Sequence, residues 1–495
     1  MGISTTTNHL IALFPDGLAG KRIHAMGAGG IGMSAVIQLA LAQGAVVTGC
    51  DVAESSMGRY LRERGVPIAE GHDPAHLAGA SVDLVVSAPA VTALNPDQAE
   101  IAAARAMGIP TADWQELLGY LMAGKIGVSV AGVHGKGSTT ALLGALAVAG
   151  GLDPTVEVGA VVPVWGSNVR CGQSAWFINE ADEWNYNFLH YHPRVVVLTA
   201  VEYDHPEFFA SYEAIREAFE RFIAGMDMAV DAGAARLLPP TLILNADDPG
   251  CRDIRDRLGD RWPGRIRTFG IAAAEADVRA VDARVAGATS FELVLDRRSL
   301  GRATLATPGV HSVYNALAAV AAAHSIGVAS AVHVDALTAF GGLRRRFEIT
   351  SDARGITYVD DYAHHPRAVA LTLETARLRF PGQRLVAVFQ PTLYTRLQRF
   401  LQPFSAAFDV ADSVGVVEIQ PSRERDTGLI HGRDLVAAVR ARPAFAGKAD
   451  EVFYGGTLDE TVAALRERLR PEDVLVVMGS GPVNRIIPPL RDAAG

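Results

Sequence analysis

Short apolar strands alternating with longer helices predict an α/β chain built on doubly wound parallel sheets. Its 495 residues, at about 150 residues per domain, predict three domains. Two glycine-rich turns set their order. Residues 24–35 (HAMGAGGIGMSA) and 128–146 (VSVAGVHGKGSTTALLGAL) each run from an apolar strand through glycines straight into a helix, the arrangement by which parallel sheets present phosphate-binding loops. The expected domains are a Rossmann-like domain over 1–122, a phosphate-loop, nucleotide-binding domain over 123–328, and an α/β C-terminal domain over 329–495.

In the first segment the turn holds Gly27, Gly29 and Gly32 in the GxGxxG pattern. Asp51 ends the following strand, VVTGCD, about 20 residues on. This spacing requires only that a phosphate or pyrophosphate sit on the helix N-terminus; a nucleotide sugar serves as well as a dinucleotide. A further apolar run, VDLVVSAPA (82–90), ends in turn residues and includes Ser87.

The second segment opens on IGVSVAG and the loop Gly132, Val133, His134, Gly135, Lys136, Gly137, Ser138, Thr139, with a helix expected from about Ser138. Glycines let the backbone approach phosphate oxygens, the helix start offers free N–H groups, and Lys136 adds a positive charge. Strands are expected at AWFINEADE, RVVVLTAVE and TLILNADDP. Two of them end in acidic clusters, Glu180 with Asp182 and Glu183, and Glu202 with Asp204 and His205. One such cluster alone reads as a solvated turn. Two at neighbouring strand ends, beside a phosphate loop, read as a shared metal–nucleotide site suited to Mg2+. The helix over 316–327 (ALAAVAAAHSIG) reads as a packing element.

The third segment opens near Phe340 and contains Arg344, Arg345 and Arg346, then DDYAHHP (360–366), and FQPTLYTR (389–396) ending in Arg396. Consecutive arginines are usually solvated, but here they suit a polyphosphate or a carboxylate.

Composition excludes several classes. With 49% hydrophobic and 20% charged residues the chain is globular, and a net charge of −9 without a basic block gives no support for nucleic-acid binding. Cys50, Cys171 and Cys251 lie far apart with no CxxC spacing, which speaks against a disulfide framework or a structural zinc site and fits a reducing compartment. No run approaches the roughly 20 apolar residues of a membrane span, and the N-terminal apolar stretch is broken by Pro15, so a cytoplasmic enzyme without membrane partners is expected.

Quoted in order, HAMGAGGIGMS, VVSAPAVTALNP, AGVHGKGSTT, EADEWNYNFL, VEYDH, PGVHSVYNALAA, LRRRFE, DDYAHHP, FQPTLYTR and RERDTG resemble the Mur ligase family of bacterial cell-wall synthesis, over about residues 21–485. The resemblance implies an ATP- and Mg2+-dependent ligase that joins the lactyl carboxylate of UDP-N-acetylmuramate to an amino acid, L-alanine, through an acyl phosphate. By resemblance, the nucleotide sugar meets Gly27, Gly29, Gly30, Ile31, Gly32 and Ser34, with Asp51 and Ser87 nearby. Lys136 stabilises the γ-phosphate; Glu180 and Ser138 are ligands of one magnesium and His205 of a second. Asn315 meets adenine, Arg346 and Asp361 complete the nucleotide site, His364 faces the reacting centre, and Arg396 belongs to the substrate side. A monomer or homodimer is expected.

Departures from the family pattern mark where this chain differs. The family usually reads GTHGKTTTT, so Gly137 removes the hydroxyl after the lysine, a feature shared with the related folylpolyglutamate synthases. The family also reads FQPHRYTRT, where this chain has Thr392 and Leu393 in place of a His and an Arg near the incoming carboxylate. Ser312 replaces an Asn, and Arg344 a Gly. Three alternatives remain: a relative that attaches a peptide to the same nucleotide sugar, a non-catalytic nucleotide-sugar-binding homologue, and an oxidoreductase resting on GxGxxG and Asp51 alone.

Overall fold

The computed structural model describes residues 6–79, 81–95, 97–228, 238–422, 424–426 and 428–492. Pro96, Arg423 and Thr427 of the motifs quoted above lie outside the described residues. The chain groups into two compact units. One holds the residues up to Tyr203 with Tyr212–Arg279 and Ala316–His333; the other holds Asp204–Ser211, Ala280–Asn315 and the residues from Val334 on.

The first unit contains two sheets. In one, β1 (Arg22–Met26), β2 (Val46–Asp51), β3 (Ile68–Glu70), β4 (Leu84–Ser87) and β5 (Thr111–Asp113) pair in the order β3-β2-β1-β4-β5, all parallel. The order reverses between β1 and β4, and ligands of open parallel sheets collect at the C-terminal ends of such a reversal. The glycine turn after Met26 and Ser87 at the end of β4 both lie there, since Met26 pairs with Ser87.

The other sheet is formed by β6 (Ile126–Ala131), β7 (Thr155–Val162), β8 (Ser167–Arg170), β9 (Trp176–Glu180), β10 (Val195–Leu198), β11 (Thr241–Asn245), β12 (Arg265–Gly270) and the start of β13 (Val278–Arg284), in the order β13-β12-β11-β10-β6-β9-β7-β8. Val128, Val130, Val195, Val196, Val197 and Ile178 are wholly buried, as strands covered on both faces demand. The direction of winding reverses at β6, so the loop after Ala131 opens at a second switch point beside the end of β9.

In the second unit β14 (Thr289–Leu295) and β15 (Arg298–Leu305) form an antiparallel hairpin, turned at Asp296 and Arg297, both with positive φ. Its sheet is β16 (Glu348–Ser351), β17 (Thr357–Asp361), β18 (Leu385–Phe389), β19 (Ser413–Val417), β20 (Val452–Gly456) and β21 (Val474–Met478), ordered β16-β17-β21-β18-β19-β20, with only β16 antiparallel. Leu385, Ala387 and Phe389 of β18 enter one apolar cluster, with Phe404 and Phe408. Val386 and Val388 enter the other, with Tyr358 and Leu475.

Two expectations are corrected. The helix after the phosphate loop is Lys136–Ala149, two residues earlier than Ser138, because left-handed Gly135 (φ 80) already caps it. The hairpins β7–β8 and β14–β15 and the antiparallel β16 were not expected. Residues 289–295 alternate buried and half-buried along TSFELVL, the period-2 signature of a half-covered strand, which a search for fully buried runs passes over.

The helix starting at His333 carries a buried imidazole, packed edge-on against His324 at 6.2 Å. Burial and then the neighbouring His324 lower its pKa to about 4. Between pH 4 and 6.5 the unfolded chain therefore binds more protons than the folded one, so stability rises with pH across that window and is lost as the pH is lowered through it. Urea unfolding at pH 5 and pH 7 should show a loss of about 2 kcal/mol for the wild type from this group, absent in His333→Gln. An equal pH slope in both proteins would remove His333 as the cause.

Candidate active site

The phosphate loop is held in shape before any ligand is considered. Gly132 (φ 127) and Gly135 (φ 80) adopt left-handed conformations that disfavour side chains, and a Cβ on Gly132 would run into the Thr199 hydroxyl. That hydroxyl donates to the carbonyl of His134 and, at 3.2 Å, to that of Ala131, while Val133 N–H donates to Ala200 O at 2.9 Å. The end of β10 thus anchors the loop after β6. His134 Nε2 lies 2.7 Å from Glu202 Oε1. The N–H groups of Lys136, Gly137 and Ser138 in the first helical turn point out of the helix start and provide an anion site, whereas Thr139 N–H closes the turn on Gly135 O at 3.0 Å.

Lys136 is the site's fixed charge. Its Nζ lies 3.1 Å and 2.8 Å from the two oxygens of Glu183, which is wholly buried. Burial pulls the lysine pKa down, but the charges of Glu183, Asp182 and Glu180 outweigh it and raise the pKa above its ordinary value. Glu180, at the end of β9, accepts from Gly159 N–H at 2.7 Å. A Cβ on Gly137 would stand 2.9 Å from the same Glu180 oxygen, so the position where the family has a hydroxyl-bearing residue is bordered by this carboxylate. Behind it, Glu157 of β7 is buried; burial and then the charge of Glu180 push its pKa well above the usual range. Ser138 is half-buried and Thr139 buried in the same turn.

The first glycine turn of this unit is equally constrained. Gly27 (φ 78) and Ala28 donate to Cys50 O at 2.9 and 3.1 Å. Gly29 N–H donates to Asp51 Oδ2 at 2.7 Å and Gly29 O accepts from Ser55 at 2.8 Å. Gly30 precedes the helix Ile31–Ala42, and Ile31 O accepts from Asn168 at 2.7 Å. Four residues expected on the substrate side also serve the fold itself. Ser34 is fully buried and its hydroxyl donates back to Ile31 O at 2.8 Å. Gly32 makes room for the Trp114 ring, 2.6 Å from where its Cβ would be. One Asp51 oxygen is committed to the turn itself, as Ser87 is drawn to Asp113 at 3.4 Å.

In the second unit, Asp361 at the end of β17 accepts from Phe347 N–H and Ala363 N–H, both at 2.8 Å. It thereby fixes the arginine loop, in which Arg345 and Phe347 both have positive φ. The three arginines divide. Arg344 pairs with Glu348 at the surface; Arg345 donates to Gly479 O and Gly481 O at 2.7 and 2.9 Å; Arg346 lies over the Tyr362 ring at 5.0 Å. Asn315 is buried in the helix Val310–Ser325. His364 Nδ1 lies 2.9 Å from Tyr362 O, and burial together with the Arg396 charge keeps its imidazole neutral, its pKa well below the ordinary value.

Arg396 is 3% exposed and donates to Asp204 at 3.0 Å, with His205 Nδ1 at 3.4 Å. Although burial opposes it, Arg396 holds the Asp204 carboxyl far below its usual range, aided by His205, His365 and His364. His205 itself has a positive φ of 55. At the positions where a His and an Arg were missed, Thr392 bonds Ser480 at 2.8 Å, and Leu393 is 1% exposed with φ 69. Sequence reasoning did not find Glu157, nor that Glu183 is the partner of Lys136 and Asp204 that of Arg396. A lone carboxylate inside the apolar run TVEVGAVV was the available signal for Glu157.

Three family models cover the chain: "Mur ligase family, catalytic domain" over residues 22–126, "Mur ligase middle domain" over 178–323, and "Mur ligase, glutamate ligase domain" over 345–481. The UDP-N-acetylmuramate–L-alanine ligase of Nitratidesulfovibrio vulgaris is 37% identical over 466 residues, covering 94% of this chain and 97% of that one. That of Acidothermus cellulolyticus is 38% identical over 470 residues, covering 95% and 94%. The chain belongs to the Mur ligase family. The crystal structure of the UDP-N-acetylmuramate–alanine ligase of Thermotoga maritima aligns with a TM-score of 0.78 at 26% identity, over 95% of this chain and 98% of that one. A murein peptide ligase of Psychrobacter arcticus aligns with 0.72 at 25% identity, over 96% and 99%. As a Mur ligase the chain is an ATP-dependent, amide-bond-forming enzyme, which sets the oxidoreductase alternative aside.

Removing the ammonium of Lys136 from this Mur ligase separates charge from fold. Lys136→Met should lower turnover by about a hundredfold or more and, by leaving Glu183 buried without a counter-charge, destabilise the protein by about 3 kcal/mol. Lys136→Met combined with Glu183→Leu should regain stability but not turnover. Recovery of both, read by denaturant unfolding and phosphate release, would show that the lysine is structural only.

Proposed function

We propose that this Mur ligase joins UDP-N-acetylmuramate to L-alanine in peptidoglycan synthesis, with cleavage of ATP to ADP and phosphate. One observation carries the reading: a lysine-bearing phosphate loop at a sheet switch point, with Glu180 beside it, in a chain whose relatives of near-equal length are named for that reaction. The reading takes a cytoplasmic setting with it, where ATP and UDP-linked sugars are found.

In this reading the first-turn N–H groups and Lys136 hold the β- and γ-phosphates, with Gly132, His134, Gly135 and Gly137 letting the backbone approach. Phosphoryl transfer is governed by positioning and neutralised charge, so a pre-placed ammonium serves it directly. Glu180, with Ser138 or water in place of the hydroxyl missing at 137, would hold Mg2+, as His205 would hold a second ion. The fit is favourable at Glu180, a carboxylate already oriented by Gly159 N–H at a strand end. Mg2+ when bound neutralises phosphate charge. The glycine turn at Gly27–Gly30 would receive the diphosphate of the nucleotide sugar. Asn315 would meet adenine, and Arg346, on a loop fixed by Asp361, would meet phosphate.

The lactyl carboxylate attacks the γ-phosphorus, the bond to the β–γ bridging oxygen breaks, and ADP leaves. The amino acid nitrogen then attacks the acyl phosphate carbonyl, phosphate departs and the nitrogen loses a proton. His364, kept neutral by burial and the arginines, is suited to accept a proton near the incoming amine.

Thr392 and Leu393 place no cation where the amino acid carboxylate is expected. Phosphate release with ATP, Mg2+ and UDP-N-acetylmuramate should therefore occur with L-alanine, but with a high KM. The double change Thr392→His, Leu393→Arg should lower that KM by about tenfold, as one charge-assisted hydrogen bond is worth. Turnover with a tripeptide and not L-alanine would move the chain to the peptide-adding reaction. Binding of both nucleotides without phosphate release would make it a non-catalytic homologue.

A further inference from the structure

Beneath the first glycine turn, away from the phosphate loop, four side chains from four elements converge. They are His24 on β1, Cys50 on β2, His76 in the short helix Pro74–Leu77, and Glu100 in the helix Ala99–Ala106. One ligand-type atom from each lies within 4.8 Å of all the others. Glu100 Oε1 stands 2.8 Å from His24 Nε2 and 3.1 Å from His76 Nδ1, and Glu100 Oε2 stands 3.5 Å from Cys50 Sγ. Glu100 and Cys50 are wholly buried and His24 is 2% exposed; His76 alone reaches the surface.

From this convergence we propose that His24, Cys50, His76 and Glu100 form a structural binding site for a thiophilic divalent cation, zinc by preference. Bond lengths near 2.0–2.3 Å put tetrahedral zinc ligands about 3.3–3.8 Å apart, so shifts below about 1 Å would seat the ion. One thiolate, two imidazoles and a carboxylate is a soft, mixed donor set that favours zinc over magnesium. The charges also balance: a thiolate and a carboxylate cancel the dication, which makes full burial tolerable. On binding, Cys50 gives its thiol proton to solvent and the sulfur–metal bond forms.

The surroundings fit such a site. Thr48 Oγ1 lies 2.9 Å from His24 Nδ1, the nitrogen opposite the proposed ligand atom, and so fixes the ring. His72 Nδ1 lies 3.1 Å from Cys50 Sγ, placed to stabilise a thiolate. Met26, Leu77, Val85, Ile101 and Ala104 pack with Cys50 into one dry cluster. The sequence spacing spoke against zinc because no two of these ligands are near neighbours in the chain. The order β2-β1-β4, not a local motif, gathers them.

The site would act on the glycine turn, since the Cys50 carbonyl receives the N–H groups of Gly27 and Ala28. Zinc would lock β1, β2 and the two short helices together behind that turn.

The test titrates the full chain, stripped with chelator and kept in excess Mg2+, with Co2+. A near-ultraviolet thiolate-to-cobalt band and tetrahedral visible bands should grow to a stoichiometric end point and vanish when Zn2+ is added. They should be lost in Cys50→Ser and kept in Cys171→Ser. Should Cys50→Ser fail to fold, His76→Ala, at the half-exposed ligand, should weaken zinc binding by about a hundredfold. Zn2+ should also raise the melting temperature of the stripped wild type. No thiolate band in the wild type, or a band that survives Cys50→Ser, overturns the proposal.

Discussion

Lys136 is a buried ammonium ion at the start of a helix, and much of the first unit is arranged to make that tolerable. An isolated charge in such a place would lose its proton; this one keeps it because Glu183 chelates it with both oxygens and Glu180 and Asp182 stand close. The pairing fixes the helix start, the helix start fixes the N–H groups, and the N–H groups define where phosphate can sit. Burial, and then the same local excess of negative charge, raises the pKa of the next carboxyl, Glu157, well above its ordinary value. The loop thus begins with its positive charge already compensated, and any anion arriving there must compete with Glu183 for it.

The second unit solves a similar problem with carboxylates that serve the backbone. Asp361 spends both oxygens on the N–H groups of Phe347 and Ala363, so its main effect is on where the arginine loop goes. Arg345 and Arg346 both lie over the Tyr362 ring, and Arg345 is in addition tied to two carbonyls. Asp204 and Arg396 form a buried pair whose charges cancel, with His205 beside them. Such pairs contribute little net stability over apolar replacements but leave a costly charge when one partner is removed, which favours one arrangement.

Legibility in the sequence followed the physics of each signal. The runs VSVA, FINE, VVVL, LILN, VAVF and VLVVM were readable as strands because burial on both faces leaves few polar interruptions, and Ser129 and Asn179 answer each other across β6 and β9. The two phosphate-type turns were readable because positive φ demands glycine and the following helix is immediate. The bond from the Ser34 hydroxyl to Ile31 O was not legible, because it depends on a helix face that Asn168 and Gln38 also line. Nor was the reason that Gly32 must be small, since it answers to Trp114, 82 residues away. Long-range pairs such as Arg396 with Asp204 leave no periodicity at all.

Gly137 is best understood together with Glu180. In a phosphate loop a hydroxyl at this place helps to hold the metal, and its loss reads at first as damage. The structure gives the vacancy a neighbour: Glu180 leans on Gly159 N–H, and its oxygen lies 2.9 Å from a Cβ at 137 and 2.8 Å from one at 159. Side chains at either position would push the carboxylate away, so the two glycines and the glutamate's position form a single feature. What the loop gives up in one hydroxyl it gains in the close approach of a full negative charge to the helix start, where a cation bound between carboxylate and phosphate is favoured by charge on both sides. Adding a threonine back at 137 without moving Glu180 would therefore crowd the site rather than repair it.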